Sequence, residues 1–211
     1  MKSFTIVLAL TAMPLLLNAQ KSDKLPRVLG EAVALDTSAT VLIPTRYNAE
    51  LLSANKIALW SDFYANVLFY DLQSDTYKKL FETDTFIRPF ARERALYTRY
   101  EAEKPGLQNM SRQWLFYFVK VGDYNNSGRI DNDDPAVLYV SDKTGGQLKA
   151  LTPEDENAVS MEIYEKQGYA LVKMQRDSDK NKRFDSKDRD HYYIRLDLRT
   201  LVFGNKIELN N

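Results

Sequence analysis

The chain of 211 residues contains no cysteine and only one histidine, His191. Without cysteine there is no disulfide, no thiol nucleophile and no lipid-bearing N-terminal cysteine, and a zinc site built on cysteine and histidine lacks its ligands. The lone histidine stands at a predicted strand start, which favours an exposed strand residue over a catalytic base. The sequence has neither a G-x-S-x-G elbow nor a phosphate-binding glycine loop. The usual parts of nucleophilic catalysis are therefore missing.

The chain also lacks an excess of either charge. Its 29 basic and 29 acidic residues give a formal net charge of zero, and no basic block occurs. The electrostatic footprint of a protein that binds nucleic acid or anionic membrane is therefore absent. We expect the partners to be of another kind.

Long apolar runs are confined to the N-terminus. Residues 4–17 are apolar, a basic residue precedes them, and Ala19 offers a small residue at a plausible cleavage position. This run is too short to span a bilayer comfortably and is typical of a signal peptide. The sequence therefore predicts a signal peptide over residues 1–19 and a single exported domain over residues 20–211, located in the periplasm, at the cell surface or outside the cell.

Two twelve-residue acidic segments, 123–134 (the first loop) and 177–188 (the second loop), are the strongest functional pattern. Each has oxygen-bearing side chains at positions 1, 3, 5, 9 and 12 and an apolar residue at position 8, the spacing that wraps a chain around one calcium ion. The predicted ligands of two Ca²⁺ ions are Asp123, Asn125, Ser127, the carbonyl of Arg129, Asp131 and Asp134, and then Asp177, Asp179, Asn181, the carbonyl of Arg183, Asp185 and Asp188.

The two loops differ at position 6, where the chain turns sharply. Gly128 stands there in the first loop and Lys182 in the second. A non-glycine residue in the left-handed conformation costs about 1–2 kcal/mol. The second loop, however, has four carboxylates at ligand positions against three in the first. These effects oppose each other, so the order of calcium affinity stays open.

In this spacing the segments resemble EF-hand calcium loops, and specifically the dockerin type, whose twelfth residue is Asp rather than Glu. The resemblance covers these 24 residues and implies one calcium ion per loop. The flanks depart from EF-hand helices, because residues 114–121 and 136–140 are aromatic and β-branched, so the loops are predicted to join strands. Such flanks disfavour a calcium sensor, which works by moving helices. The alternative is a pair of acidic turns without metal.

Strand-like segments recur along the mature chain and predict an all-β fold; only residues 85–94 show helical periodicity. The predicted architecture is three four-stranded antiparallel meanders over about residues 40–82, 86–153 and 157–208, called here repeats one, two and three. Both loops then lie between strands two and three of repeats two and three. In each repeat a strand ends in an aspartate followed by a turn: Asp71, Asp142 and Asp197. The alternative is an ordinary meander without duplication.

The second repeat resembles a blade of the TolB-type β-propellers. The residues that carry the resemblance are Asp142, Gly145, Gly146, Leu151 and Thr152, in the order strand, Asp, glycine turn and Leu-Thr. Over the three repeats the resemblance covers about half of the mature chain and implies blade-like units. A propeller closes with about four to eight blades. Three repeats therefore predict either an open stack of sheets or a homodimer that completes a ring.

Two further groups of residues bear on function. Arginine and tyrosine together can recognise carboxylates, sugars or a partner surface, although a solvated strand face is the plainer interpretation. A pair of carboxylates can hydrolyse glycosidic bonds, although solvated turn residues are again the plainer interpretation. The first group comprises Arg88, Arg92, Arg94, Arg99, Arg112, Tyr97 and Tyr100, and the second comprises Glu101, Glu103, Glu154 and Glu156.

The sequence thus predicts an exported, calcium-binding β-repeat protein that acts as a binding or scaffold module for a protein or glycan partner, with calcium in a structural role. The alternative function is a carboxylate-dependent hydrolase of glycan or peptide on a propeller-like scaffold. No catalytic residue is assigned in either case.

Overall fold

The structure is a computed structural model that describes residues 27–35, 39–47, 63–88, 111–128 and 130–209. These residues form strands with one 3-10 turn at Glu165–Gln167, so the predicted all-β class is confirmed. The strands are β1 Arg27–Leu29, β2 Val33–Ala34, β3 Thr40–Tyr47, β4 Tyr64–Asp71, β5 Thr76–Lys79, β6 Phe86–Ile87, β7 Trp114–Lys120, β8 Val137–Asp142, β9 Lys149–Ala150, β10 Glu156–Tyr164, β11 Tyr169–Arg176, β12 His191–Asp197 and β13 Phe203–Ile207.

All strand pairs are antiparallel and belong to two sheets. The larger sheet has the order β1-β3-β4-β6-β7-β8-β9, with β2 paired to β3 and β5 paired to β4. The smaller sheet has the order β10-β11-β12-β13, which is the meander predicted for repeat three. In the larger sheet β6 joins repeat one to repeat two by pairing with both β4 and β7. The helical periodicity that begins at residue 85 was misleading here, because the backbone of Phe86 and Ile87 pairs with β7 instead.

Several sequence predictions concern residues that the structure does not describe. The predicted strands at 57–60 and 95–100 and the predicted signal peptide at 1–19 lie outside the described residues. Strand β3 pairs directly with β4, so the predicted order of repeat one, with a strand at 57–60 between these two, is wrong. The four-stranded form of repeat two stays a prediction. Among the described strands no ring closes, so the propeller-like arrangement also stays a prediction.

The core consists of three packed layers, with repeat two in the middle. Strand β7 is buried along six of its seven residues, because successive side chains point to opposite faces and both faces are covered. Leu115, Tyr117 and Val119 pack against repeat one. Phe116 and Phe118 pack against the β10–β12 face of repeat three. The order of layers along the stack therefore follows the order of repeats along the chain.

The aspartate that ends a strand in each repeat has the same local role. Asp71 and Asp197 each accept backbone N–H groups from the residues two and three positions later, at 2.8 and 3.1 Å and at 2.9 and 2.9 Å. Asp142 accepts those of Thr144 and Gly146 at 2.9 and 2.7 Å. Each carboxylate thus satisfies the donors of its own turn.

We expect Asp71→Asn and Asp197→Asn to destabilise the protein at neutral pH and to lose that effect in acid. Backbone N–H donors lower the pKa of both carboxyl groups. The ionised form is therefore favoured on folding, and its contribution, present above the unfolded pKa of about 4, disappears as the pH falls through the folded pKa. Urea denaturation at pH 7 and at about pH 2 measures the difference from wild type.

The matched control for this experiment is Asp155→Asn, which removes an exposed acid outside the three turns. Its effect on the free energy of unfolding should be small at both pH values. A difference between wild type and the Asp71 or Asp197 variant that is as large at pH 2 as at pH 7 would contradict the assigned role of the ionised carboxylate.

Candidate metal centre

The two acidic loops follow equivalent strands of neighbouring layers. The first loop connects β7 to β8, and the second loop connects β11 to β12. Strands β7 and β11 contribute side chains to the same core cluster between repeats two and three. Both loops are therefore attached to strands of one core cluster. The predicted position of each loop, between two antiparallel strands rather than two helices, is confirmed.

The first ligand position makes the same hydrogen bonds in both loops. The two carboxylate oxygens of Asp123 accept the backbone N–H groups of positions 5 and 6 of its loop, at 2.9 and 2.7 Å. The two oxygens of Asp177 accept the equivalent groups at 3.1 and 2.8 Å. A carboxylate at position 1 thus draws the following residues back around itself.

The twelfth position closes both loops. Asp134 accepts the backbone N–H groups of positions 2 and 9, one on each oxygen, at 2.8 and 2.7 Å. Asp188 accepts the equivalent groups at 2.8 and 3.0 Å. These two side chains are only 0 % and 1 % exposed. A buried carboxylate is retained only where several donors compensate its desolvation, and each loop supplies those donors from its own backbone.

The other ligand positions also correspond. The side chains at position 3, Asn125 and Asp179, each accept the N–H of position 5, at 2.8 and 3.1 Å. Those at position 9, Asp131 and Asp185, each accept the N–H of position 11, at 3.0 and 2.6 Å. At position 5, Ser127 and Asn181 differ in chemistry. The position-7 carbonyl of Arg129 lies outside the described residues, whereas Arg183 lies within them.

The backbone conformation of the two loops matches as well. At position 4, Asn126 and Lys180 have φ angles of 57° and 58°. At position 6, Gly128 and Lys182 have φ angles of 89° and 64°. The lysine therefore takes the left-handed conformation that the first loop assigns to glycine, as the sequence comparison predicts. This conformation strains the backbone of the second loop at Lys182.

The arrangement can hold a hard cation. In the second loop Asp177, Asp179 and Asp188 each place a carboxylate oxygen within 4.8 Å of the others. Oxygens at ~2.3–2.6 Å from a common centre can lie that far apart, so these three fit around one calcium ion. Each carboxylate oxygen that accepts one N–H keeps a second lone pair for a cation. The donor set thus fits a calcium ion chemically, with Ser, Asn and carbonyl oxygens to complete it.

Two buried side chains, Lys120 and Gln175, donate hydrogen bonds to backbone carbonyl groups of the loops. The sequence did not predict either role. The Lys120 ammonium donates hydrogen bonds to the carbonyl oxygens of Asn132, at 3.4 Å, and Asp134. Gln175 donates to those of Asp185 and Asp188, both at 3.0 Å. The signal for Lys120 is a single charged residue at the end of an otherwise apolar strand, whereas Gln175 lies among other polar residues of β11 and has no such signal. Burial lowers the pKa of Lys120 to about 8, and the nearby Asp134 carboxylate opposes this shift.

The loops also contact each other directly. The backbone N–H of Phe184, at position 8 of the second loop, donates to the carbonyl oxygen of Asp133 in the first loop at 2.8 Å. The rings of Tyr124 and Phe184 lie with their centroids 6.1 Å apart. Phe184 is buried, and Ile130, at position 8 of the first loop, packs on a small cluster of repeat one. The apolar position 8 therefore anchors each loop on the core.

The remaining candidate residues do not come together with the loops. Glu156 faces Arg176 at 3.8 Å and accepts the phenol hydrogen of Tyr192, Glu154 is exposed, and Glu101 and Glu103 lie outside the described residues. His191 lies with Nδ1 at 3.1 Å from the Arg189 carbonyl oxygen.

The predicted basic and aromatic stretch is described only at its ends. Arg88 donates to the carbonyl oxygen of Val159 at 2.6 Å and stacks on Phe118, while Arg112 lies exposed near Glu165 at 3.9 Å. Arg92, Arg94, Arg99, Tyr97 and Tyr100 lie outside the described residues. The Arg88 guanidinium thus holds repeat two against repeat three, as a packing contact.

Searches against protein-family models and against curated proteins found no match for this chain. The resemblances to dockerin-type loops and to propeller blades therefore rest on the residues named above. Among the described residues, no helix has the length and apolarity needed to cross a membrane.

We expect Lys182→Gly to stabilise the protein and Lys187→Gly, in the same loop, to destabilise it. Glycine relieves the left-handed strain at position 182, worth about 1–2 kcal/mol, while the added freedom of the unfolded chain costs about 0.5–1 kcal/mol. Lys187 is not among the residues with positive φ, so only the cost applies there. Urea denaturation with chelator present measures both changes, and equal destabilisation by the two variants would refute the strain at Lys182.

Proposed function

We propose that this chain is an exported, calcium-binding β-repeat protein that acts as a binding or scaffold module, with calcium in a structural role. The observation that carries the proposal is the position-by-position agreement of the two loops in hydrogen bonding and backbone conformation. Two segments of different sequence make the same hydrogen bonds at positions 1, 3, 9 and 12 and have positive φ angles at the same positions, 4 and 6. A shared ligand explains that agreement better than two independent acidic turns.

The chemistry of the loops favours calcium over other metals. The proposed ligands are oxygens throughout: the side chains or carbonyls of residues 123, 125, 127, 129, 131 and 134, and of residues 177, 179, 181, 183, 185 and 188. With no cysteine and no histidine inside the loops, softer transition metals lack their preferred ligands. A flexible loop with up to six such oxygens suits calcium, whereas magnesium requires a tighter octahedron and keeps several waters.

A structural role for the metal follows from where the loops are attached. In the second loop the carboxylates of Asp177, Asp179 and Asp188 lie close together, and without a cation they repel one another. Each loop connects two core strands, so its order affects how those strands pair. A ligand that binds only the folded state stabilises it by about 2.7 kcal/mol when its concentration is a hundredfold above Kd. Export, proposed from the N-terminal sequence pattern, would place the protein in a calcium-rich environment.

Chelation is expected to lower the melting temperature by several degrees, and excess calcium to restore it, with magnesium a poor substitute. The double variant Asp123→Ala with Asp177→Ala should lose this response and its heat of calcium binding while its circular dichroism stays that of a β protein. Glu154→Ala with Asp155→Ala, two exposed acids outside the loops, is the charge-matched control and should respond like wild type. Identical melting of the wild type in chelator and in calcium, with no heat of binding, would reject the proposal.

The outer face of repeat three supports a role as a module that binds something. Tyr164, Tyr193 and Ile207 are 40 %, 37 % and 57 % exposed and lie on the face of the β10–β13 sheet away from the core, as the pairing shows. Aromatic residues are enriched where proteins contact one another. The proposed occupant is a protein or a glycan, and a second copy of the chain is one such protein.

If two copies pair through this face to complete a ring, light scattering at micromolar concentration should give about twice the monomer mass. Tyr193→Glu should then restore the monomer, because a carboxylate in a packed face is desolvated without a partner. Ala150→Glu, at an exposed position of β9 in the middle repeat, is the control and should leave the mass unchanged. A monomer at all concentrations would support the open stack of sheets instead.

A further inference from the structure

A buried amide side chain, Gln175, and a half-buried one, Asn157, connect the two loops to each other. Gln175 donates through Nε2 to the carbonyl oxygen of Asp188, the last residue of the second loop, at 3.0 Å. Its Oε1 accepts a hydrogen bond from Nδ2 of Asn157 at 2.8 Å. The Oδ1 of Asn157 accepts the backbone N–H of Ala136 at 2.9 Å. A continuous path of hydrogen bonds, called here the amide relay, thus runs from the end of the second loop to the segment that follows the first loop.

In the amide relay, the side-chain oxygen and nitrogen of both Asn157 and Gln175 are hydrogen-bonded, and Gln175 is buried. Moving Asn157 away therefore removes the hydrogen bond to the buried Gln175 oxygen, which costs the desolvation of that group, whereas the Gln175 nitrogen is held in the second loop by two carbonyl oxygens. The backbone at Ala136 is held from both sides, because its carbonyl oxygen also accepts the N–H of Ala158 at 2.8 Å. A displacement of β10 relative to the second loop is thus transmitted to the exit of the first loop.

A second, direct route joins the loops at their surface. The N–H of Phe184 donates to Asp133, whose neighbour Asp134 closes the first loop. The Phe184 ring packs near Tyr124, and the Tyr124 N–H itself donates to the Asp134 carboxylate at 2.8 Å. Both routes therefore reach the closing end of the first loop, at Asp134 or at the residue two positions beyond it. The two loops are therefore joined by hydrogen bonds and are not only close in space.

We propose that the amide relay, with the Phe184–Asp133 contact, couples the two loops into one conformational unit, so that ordering either loop orders the other. Two consequences follow. In the metal-free protein, damage to one loop loosens the second one as well. In calcium, occupation of one loop raises the affinity of the other, and the effect is reciprocal because coupling free energies are. This second consequence rests on the proposed function, whereas the first does not.

The first test is amide hydrogen exchange in the full-length, metal-free protein. Asp177→Ala removes the acceptor of two N–H groups in the second loop. We expect it to speed exchange in the first loop, at the amides of Ser127, Gly128 and Asp131, by about fivefold or more, the lower end of typical coupling. Asp123→Ala should act in the same way on the amides of the second loop. Unchanged exchange in the opposite loop for both variants would overturn the proposal.

The second test assigns the coupling to the relay. Asn157→Leu has a similar shape and none of the relay's hydrogen bonds, and it should reduce the effect of Asp177→Ala on the first loop. Asn205→Leu, the same change at an exposed position of β13, is the control and should leave that effect intact. If Asn157→Leu does not fold, Gln175→Met breaks the same path from the other end. Full coupling in a folded relay variant would overturn the relay as its route.

Calcium titration distinguishes this proposal from the proposed function. In calorimetry with calcium chloride, the remaining loop of Asp123→Ala or Asp177→Ala should bind about fivefold or more weakly than in the wild type. Two independent, unchanged sites would overturn the coupling while upholding calcium binding. No heat of binding in the wild type would reject the proposed function, and the exchange experiment would still decide whether the loops move as one unit.

Discussion

The burial of both faces of β7 is the constraint on which the rest of the molecule depends. Side chains of alternating direction must find a covering layer on each side, and repeats one and three supply those layers. Because β11 packs across the same core as β7, the loops that follow these two strands emerge side by side. Their contact through Phe184 and Asp133 is therefore a consequence of layer packing. A single-faced sheet would have left the two loops apart.

The loops share a conformation, but different groups stabilise it. A buried ammonium, Lys120, supports the first loop, and a neutral amide, Gln175, supports the second. A buried positive charge acts more strongly on neighbouring carboxylates than the exposed lysines of the second loop do, since water screens exposed charges. The first loop thus carries part of its charge compensation within the fold. Within the proposed function, the second loop, with four ligand carboxylates and the strained Lys182, would depend more on a bound cation to compensate its charge.

Local patterns in the sequence predicted much of this arrangement, and non-local ones did not. Runs of aromatic and β-branched residues predicted the strands around Trp114–Lys120, and the spacing of oxygen-bearing residues predicted the positions of both loops and of their closing aspartates. The amide relay could not be predicted from the sequence, because Asn157 and Gln175 are brought together only when β10 and β11 pair in register. The bridge made by Phe86 and Ile87 was missed for a similar reason: two residues carry no periodicity, and their partner strand starts more than 25 residues later.

The attachment of the loops also bears on what calcium can do here. A sensor needs an element that moves when the ion binds, yet the carbonyl groups behind both loops are bonded to side chains of core strands, and the closing carboxylates Asp134 and Asp188 are buried. An ion bound in such a loop would cause little movement, because the loop backbone is already held by these hydrogen bonds. Within the proposed function, its free energy of binding would instead hold strands β7, β8, β11 and β12 in register. Within the proposed function, calcium is then part of the fold that presents the outer face of repeat three, where Tyr164 and Tyr193 are exposed.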